Sequence, residues 1–274
     1  MGLITIDEER CQKDGFCAAE CPAVIIRLQK GNGFPEMVAG GEELCLRCGH
    51  CVAVCPHGAL SHRHVPLEAS PPIDPKFVLT EPQAAQFLRT RRSVRRYQDK
   101  PVEKEKIQKL IEIARYAPTG SNTQLVEWLV VDDKSKVNKL AGLTIDYYRR
   151  LLQEEPQAAA YAALPRAIAA WEAGYDAVLR NAPTLVVASA PQEAFNGMID
   201  VTLALCYLDL MAPVFGLGTC WAGMLQRALR FSPAIKDALG VPAGHPHHYP
   251  MMLGYPKVTY HRLPERKPPK ITYA

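Results

Sequence analysis

The sequence predicts an α+β protein built from two domains, in a chain of 274 residues that is long enough for two compact units. Seven of its nine cysteines lie between Cys11 and Cys55. Residues 61–80 contain four prolines and little hydrophobic periodicity, which is typical of a semi-rigid linker. Beyond them, amphipathic helical patterns alternate with short apolar strands. We therefore predict a small cysteine-rich domain over 1–62, a linker over 63–80 and an α+β domain over 81–274.

The composition is that of an ordinary globular protein, with 48% apolar and 22% charged residues. The formal net charge of +4 is too small to indicate a nucleic-acid partner. The first residues lack a basic stretch followed by an apolar run, so they predict no export signal. The most apolar stretch, 210–225, contains Pro213 and is shorter than a membrane span. The sequence thus predicts a cytoplasmic protein with neither membrane nor nucleic acid as partner.

The most specific motif is a run of four cysteines followed by a proline, Cys45-x2-Cys48-x2-Cys51-x3-Cys55-Pro56. This spacing binds iron–sulfur clusters in bacterial proteins, where three thiolates bind one cluster and the fourth binds a second. A disulfide framework is the weaker interpretation, because seven is an odd number and no export signal precedes it. Structural zinc is disfavoured because it takes four ligands in two well-separated pairs.

A related run lies upstream, Cys11-x2-Asp14-x2-Cys17-x3-Cys21-Pro22. Together the two runs resemble the two-cluster bacterial ferredoxins across residues 3–60. The resemblance implies two 4Fe-4S clusters with crossed ligation. The implied ligands are Cys45, Cys48, Cys51 and Cys21 for one cluster, and Cys11, Cys17 and Cys55, with Asp14, for the other.

Asp14 stands where the ferredoxin pattern has a cysteine. A carboxylate is a harder ligand than a thiolate and binds that iron more weakly. Our hypothesis is that the cluster near Asp14 either keeps four irons with an oxygen ligand or loses one to become 3Fe-4S. The alternative is that Asp14 only shapes a turn before Gly15. Three histidines near the linker, His57, His62 and His64, are interpreted as surface residues rather than ligands.

The helices and strands of the second domain are predicted from capping and periodicity. Thr80-x-x-Gln83 with Pro82 is a capping box that begins a helix. Pro118 ends the next amphipathic helix. The elements after the first helix are, in order, a helix over 104–117, a strand near 128–131, a helical insert around 144–180, a strand over 184–188, an apolar helix over 199–215, and strands over 217–224 and 251–255.

Five arginines lie between Arg89 and Arg96, together with Ser93. Guanidinium groups and a hydroxyl are what a phosphate requires. A solvated face is an alternative, and a nucleic-acid patch is disfavoured because no aromatic residues are interleaved. One helix later comes a polar loop, 117–124, whose side chains can both donate and accept hydrogen bonds. The two segments together favour a cofactor that carries a phosphate.

Further motifs follow the arginine segment and the polar loop along the chain. The full set is Arg91-Arg92-Ser93-Val94-Arg95, Ala117-Pro118-Thr119-Gly120-Ser121-Asn122-Thr123-Gln124, Gly216-Leu217-Gly218-Thr219-Cys220-Trp221-Ala222-Gly223, Leu253-Gly254-Tyr255-Pro256-Lys257 and the basic tail Arg266-Lys267-Pro268. A dinucleotide-binding motif at 216–221 is excluded because Trp221 stands where the third glycine is required. On these motifs the chain resembles the flavin-dependent nitroreductase family across residues 85–273. The two resemblances together predict a bacterial ferredoxin-like domain followed by an FMN-binding, nitroreductase-like α+β domain.

The resemblance implies an intertwined homodimer with FMN at two interface sites. Arg91, Ser93 and Arg266 would hold the FMN phosphate, with Lys267 as an adjacent candidate. The family often carries Pro-Trp directly after the position of Gln124, whereas this chain has Leu-Val there. The route by which substrates enter on that side therefore differs from the family pattern.

The flavin ring has its own set of implied contacts. Arg92 would line the ring, and Arg95 would lie near its pyrimidine edge, where a cation stabilises the negative charge of reduced flavin. Three polar side chains would contact the ribityl chain or the ring edges: Thr119, Asn122 and Gln124. The backbone of Trp221, Ala222 and Gly223 would approach the ring and offer a hydrogen-bond donor to its N5 atom.

The combination predicts an iron–sulfur flavoprotein oxidoreductase. Clusters move single electrons whereas organic acceptors usually take two, and a flavin connects the two regimes. The predicted donor is a low-potential ferredoxin or NAD(P)H, and the predicted acceptor is a small organic molecule such as a nitro compound. Enoate, quinone or dehalogenating reduction on the same fold remains open, as does a carrier or redox sensor without turnover. No residue stands out as a catalytic acid or nucleophile.

Several other residues have a structural interpretation. Trp221 either contacts flavin or packs in the core, and Cys206 and Cys220 are interpreted as buried thiols. The aromatic residues of the helical insert are interpreted as packing residues: Tyr147, Tyr148, Tyr161, Trp171 and Tyr175. The three histidines His245, His247 and His248 are interpreted as loop residues.

Overall fold

The protein is described by a computed structural model, which covers residues 2–31, 33–157 and 163–274. The chain forms two compact units. The first runs to Leu79 and includes residues 121–123, and the second takes the remaining residues from Thr80. Most of the predicted linker, 63–79, belongs to the first unit and contains two short 3₁₀ helices, Leu67–Ala69 and Pro75–Phe77.

The first unit contains two short antiparallel ladders and three one-turn helices. Strand β1 (Ile4–Ile6) pairs with β4 (Leu60–His62), and β2 (Ile26–Leu28) pairs with β3 (Pro35–Met37). The helices are α1 (Phe16–Ala19), α2 (Gly41–Leu44) and α3 (His50–Ala53).

Gly15 and Gly49 occupy matching places in the two cysteine runs, one residue before α1 and α3. Both have left-handed backbone, with φ of 76° and 74°, which glycine adopts without steric cost. The chain therefore turns sharply at the same point of each run. The two runs therefore share the same local geometry at this point.

The second unit is built on a four-stranded antiparallel sheet with strand order β5-β6-β8-β7. Alternate residues of β6 enter two different cores, Leu185 and Val187 on one face and Val186 and Ala188 on the other. Helices therefore cover both faces of the sheet. The strands are β5 (Glu127–Val131), β6 (Thr184–Ala190), β7 (Gly218–Trp221) and β8 (His247–Gly254). The helices are α4 (Glu81–Thr90), α5 (Lys104–Ala114), α6 (Lys134–Glu154), α7 (Ala163–Glu172), α8 (Gly197–Met211), α9 (Gly223–Leu229) and α10 (Pro233–Leu239).

Helix α8 and the 3₁₀ turn after it, Gly197–Phe215, are long and apolar enough to cross a membrane by length and composition. The helix nevertheless packs against α5, β6 and β8. It also carries two buried carboxylates, Asp200 and Asp209, both with hydrogen-bond partners. Buried, partnered acids and packing against a sheet are features of a core helix.

The predicted elements are present, with shifted ends. Thr80 begins α4 as predicted, and its backbone N–H donates to Gln83 Oε1 at 2.9 Å. The strand predicted to reach residue 224 ends at Trp221, because α9 begins at Gly223. The predicted apolar helix ends as α-helix at Met211 and continues as a 3₁₀ turn that contains Pro213.

The predicted insert around 144–180 does not begin as a separate element. Helix α6 already starts at Lys134, where the Asp133 side chain accepts from the Ser135 N–H at 2.8 Å. Tyr148 is fully buried and donates to the Met224 carbonyl at 2.6 Å, so its predicted packing role is confirmed. Tyr161 lies outside the described residues.

Gly218 in β7 leaves no room for a side chain, because an added Cβ would lie 2.4 Å from Val94 Cγ2. We expect Gly218→Ala to destabilise the fold by about 1–3 kcal/mol through overpacking. Thermal unfolding would measure the loss. Gly244→Ala is the matched control, since nothing lies within 4 Å of its added Cβ. Equal melting temperatures for the two variants would contradict this account of the contact between Val94 and β7.

Candidate functional site

The cysteines of the first unit surround two separate cavities, and all nine cysteines of the chain are free. One cavity is walled partly by apolar residues such as Ile25. Its lining includes Cys21 from the first run with three cysteines of the second, Cys45, Cys48 and Cys51.

The other cavity is also lined by residues of both runs. It takes Cys55 from the second run, and Cys11, Asp14 and Cys17 from the first. Each cavity thus combines residues of both runs, the arrangement that crossed ligation requires. In the described residues, no three His, Cys, Asp or Glu side chains converge to hold a metal ion. Four cysteines line one cavity, and three cysteines with a carboxylate line the other, which are donor sets that suit iron–sulfur clusters.

Burial changes the acidity of these thiols. It raises the pKa of Cys51 to about 11, with a further contribution from neighbouring Cys48, and it also raises the pKa of Cys17. The metal-free thiols of Cys17 and Cys51 therefore hold their protons at neutral pH, and iron must displace those protons when it binds.

Asp14 both lines the second cavity and shapes a turn. Its Oδ1 accepts the Phe16 N–H at 3.1 Å, which holds the start of α1, and its Oδ2 lies 3.5 Å from His57 Nε2. The alternative of a turn residue therefore has direct structural support, while the carboxylate still lies beside the cavity. His57 is a neighbour that the sequence did not assign to this site.

His62 corrects the interpretation of the three histidines as surface residues. His57 and His64 are exposed, but His62 is only 2% exposed and lines the first cavity. Its Nε2 lies 3.5 Å from Cys45 Sγ. Desolvation by burial lowers the pKa of His62, and the electrostatic effect of nearby His64 lowers it further. The pairing of β4 with β1 is what buries this side chain, because His62 stands opposite Ile4.

In the second unit, the arginine segment lies alongside β7. Ser93 and Thr219 form a parallel bridge, and the Val94 N–H donates to the Thr219 carbonyl at 2.8 Å. These contacts bring together two motifs that are separated by more than 100 residues in the chain. Arg91, Arg95 and the 221–223 backbone consequently belong to one region of the fold.

The Asp209 side chain links β7 to the arginine segment, and the sequence analysis did not identify this residue. The carboxylate is 3% exposed, accepts hydrogen bonds from Thr219 Oγ1 and, at 3.3 Å, from Trp221 Nε1, and lies 3.5 Å from Arg91 Nη1. Since a buried charge is stable only when it is partnered, Asp209 fixes the positions of these three side chains. An acid inside an apolar helix is the signal that could have identified it.

A cleft of about 390 Å³ opens beside the same strand. Arg95, Cys220, Trp221 and Gly223 line it. The Trp221 ring also meets Tyr249 edge to face, with centroids 5.0 Å apart, so Trp221 both packs and borders the cleft. Burial raises the pKa of the Cys220 thiol, which supports its interpretation as a protonated, structural cysteine.

The polar loop has strained backbone. Ser121, Asn122 and Gln124 all have left-handed φ, between 51° and 55°, a conformation that costs energy for residues other than glycine and clusters at functional sites. The Gln124 N–H donates to Thr119 Oγ1 and the Gly120 N–H donates to Asp200 Oδ1, each at 3.0 Å.

Residues 121–123 of this loop belong to the first compact unit. There, Asn122 Nδ2 donates to the backbone carbonyls of Leu46 at 3.0 Å and Arg47 at 3.1 Å. Both carbonyls lie between Cys45 and Cys48 in the chain. The Asn122 amide is therefore engaged with the segment that carries those cysteines.

A family model described as the nitroreductase family matches residues 88–255, more than half of the chain. The chain belongs to the nitroreductase family. A second model, described as a 4Fe-4S dicluster domain, matches residues 9–60. These matches confirm the predicted order of a ferredoxin-type domain followed by a nitroreductase-like domain, and the prediction of an FMN-dependent oxidoreductase.

Similar proteins agree with this nitroreductase assignment. A protein of Archaeoglobus fulgidus that carries the provisional name NADH dehydrogenase/NAD(P)H nitroreductase is 27% identical over 180 residues, which cover 64% of this chain and 86% of that protein. Two solved nitroreductases with bound FMN, from Bacteroides fragilis and Desulfitobacterium hafniense, are 22% and 21% identical. Each covers 72% of this chain and all of its own, with a TM-score of 0.56, which shows the fold.

The basic tail of this nitroreductase chain runs past the arginine segment. Tyr260 donates to the Ser93 carbonyl at 3.4 Å, and Glu265 lies 3.9 Å from Arg89. Arg266 and Lys267 follow directly and are exposed. The structure thus brings the tail alongside the segment with which the sequence grouped it.

Proposed function

We propose that this chain is an iron–sulfur flavoprotein oxidoreductase that transfers single electrons through two clusters to FMN and reduces a small organic acceptor such as a nitro compound. When bound, the clusters supply electrons singly and FMN delivers them in pairs. The observation that carries the proposal is the distribution of the cysteines around two cavities, in a chain whose other unit has the nitroreductase fold.

The donor set of each cavity fits a cluster. Soft thiolates are the ligands that iron–sulfur clusters take, and apolar walls limit solvent access. We assign Cys21, Cys45, Cys48 and Cys51 to one 4Fe-4S cluster. The second is assigned to Cys11, Cys17 and Cys55, with the Asp14 carboxylate in the fourth place.

The region beside β7 fits FMN. Arg91, near the surface and supported by Asp209, is suited to a phosphate, and we place Ser93, Arg266 and Lys267 at the same group. Arg92 and Arg95 supply positive charge toward the ring, and the cleft beside Gly223 gives a flat ring access to backbone N–H groups. The remaining proposed contacts are Thr119, Asn122, Gln124, Trp221 and Ala222.

The polar loop and the arginine segment, which supply the two sets of proposed FMN contacts, are held at opposite ends of α8. This arrangement supports a homodimer. The loop is held by Asp200 and the arginine segment by Asp209. Asp209 follows Asp200 by nine positions along the helix, or about 14 Å at ~1.5 Å per residue. We propose that the loop contacts the FMN of a second subunit, as the resemblance to the nitroreductases implies.

The electron donor and the compartment are also proposals. A low-potential ferredoxin would deliver electrons to the clusters, whereas NAD(P)H would deliver hydride in the flavin pocket. We place the protein in the cytoplasm, because free cysteines persist in a reducing compartment.

An acceptor screen tests the proposed reaction. Anaerobic protein would be reduced with dithionite and mixed with nitroaromatics, quinones and enoates, while flavin reoxidation is followed by absorbance. We expect a nitroaromatic to reoxidise the flavin fastest. If quinones or enoates do so, the acceptor class is wrong; if no acceptor reoxidises it, the chain is a carrier rather than an enzyme.

Asp14→Cys tests the assignment of the second cluster. A fourth thiolate binds its iron more tightly than a carboxylate does. We expect electron paramagnetic resonance of the air-oxidised wild type to show a 3Fe-4S signal, and the variant to lose that signal. Asp7→Cys is the control, because Asp7 does not line this cavity. A wild type with no 3Fe-4S signal under any oxidising condition would contradict the loss of iron from this cluster.

A further inference from the structure

His62 is a buried side chain in contact with a proposed cluster ligand, and nothing in the cysteine motifs accounts for it. It ends β4, where it pairs with Ile4, and its carbonyl accepts the Val65 N–H at 3.0 Å. These contacts hold the residue in place, and its ring lines the cavity of Cys45. The Nε2 to Sγ distance of 3.5 Å is within hydrogen-bond range for sulfur.

The other ring nitrogen determines where the proton lies. The backbone N–H of His64 donates to His62 Nδ1 at 3.1 Å, so Nδ1 acts as an acceptor and carries no hydrogen. A neutral imidazole with a free Nδ1 carries its hydrogen on Nε2. Nε2–H is therefore the donor and Cys45 Sγ is the acceptor.

We propose that His62 donates a hydrogen bond to the Cys45 thiolate and thereby raises the reduction potential of that cluster relative to the other. The inference rests on the proposed function, since it requires a cluster on Cys45. Reduction adds negative charge to the cluster and its sulfurs, and a donor at the sulfur stabilises that charge. The bond is buried, where such interactions are stronger than in water.

The two proposed clusters differ in this contact. Cys45 Sγ accepts from the Arg47 N–H at 3.4 Å in addition to His62, whereas Cys55 Sγ accepts from the Ala59 N–H at 3.3 Å. His57, the histidine at the other cavity, is directed to the Asp14 carboxylate rather than to a cysteine. His62 thus acts as a positioning residue for one cluster of the pair, and an electron shared by the two would rest preferentially on the cluster of Cys45.

A redox titration of the full-length anaerobic protein, followed by electron paramagnetic resonance, tests the inference. In His62→Leu we expect the reduced-to-oxidised ratio of the cluster on Cys45, at fixed potential, to fall about tenfold. This is the size expected for the loss of one hydrogen bond. That corresponds to about 59 mV for a one-electron couple. His62→Gln, whose amide can donate, should recover part of the shift. His64→Leu is the matched control and should leave both potentials unchanged, because its backbone N–H remains.

Unchanged potentials in His62→Leu, or equal shifts of both clusters, would overturn the proposal. A second measurement tests the proposal even if the His62→Leu variant does not retain the cluster. Wild-type protein labelled with 15N-histidine should show a nitrogen coupling to one reduced cluster in pulsed resonance spectra, and His62→Gln should lack it; absence of the coupling in the wild type overturns the proposal as well. Wild-type protein without bound iron would instead contradict the proposed function itself.

Discussion

Cys48→Ala is expected to remove one cluster and leave the other in place. Cys48 lines the cavity with Cys21, Cys45 and Cys51, and the other proposed ligands line a different cavity. Bound iron should fall to about half, since one of the two clusters of the ferredoxin-type domain would be lost. Iron analysis and the remaining resonance signal would measure the effect. Cys206→Ala is the control, because Cys206 lies in α8 and lines neither cavity.

The same variant tests the electron path. We expect turnover with reduced ferredoxin to fall by at least about tenfold, because loss of the cluster on Cys48 interrupts the proposed electron path; tenfold corresponds to about 1.4 kcal/mol in a barrier. Turnover with a direct hydride donor should fall much less, since hydride would enter at the flavin. Equal slowing with both donors would show that the clusters are structural rather than part of the path. Unchanged iron content would contradict the ligand assignment.

Arg91→Ala is expected to release FMN during purification while the cluster absorbance remains. A charge-assisted hydrogen bond to a phosphate contributes about 1.5–3 kcal/mol, so FMN should bind roughly 10- to 100-fold more weakly. FMN occupancy after gel filtration and the dissociation constant by fluorescence would measure the loss. Arg96→Ala is the matched control, because Arg96 belongs to the same segment, is exposed and has no assigned contact with FMN.

The pairing of Arg91 with Asp209 requires a second variant. Removal of the guanidinium leaves the buried Asp209 carboxylate without its cation, and a loss of stability could imitate a loss of FMN contacts. The double variant Arg91→Ala, Asp209→Asn removes that unpaired charge. It should still release FMN if Arg91 binds the phosphate. Full FMN occupancy in the double variant, or equal loss in Arg96→Ala, would contradict the phosphate assignment.

The cysteine runs show how much of a site local sequence can specify. Their spacing within a few residues carries the resemblance that implies the ligand sets, and glycines at matching places supply the turns that the structure contains. The helices and strands of the second unit were predictable for a similar reason, because capping and apolar periodicity are also local. The ends were less predictable: α9 begins directly after Ala222, where no strong signal separates strand from helix.

His62 and Asp209 could not be predicted in this way. His62 ends a three-residue strand, too short to show alternation, and its burial depends on pairing with a strand more than 50 residues earlier. Asp209 has its partners on β7 and on the arginine segment, which only the completed sheet brings to it. Both are polar groups whose role is set by tertiary contacts, and tertiary contacts leave little trace in local patterns.

The most direct test of the account is the content of protein purified without oxygen. Iron, acid-labile sulfide and released flavin would be measured on the same sample, with protein quantified by amino-acid analysis. The account predicts iron and sulfide sufficient for two clusters, together with one FMN per chain. Protein that contains neither bound iron nor flavin would contradict it.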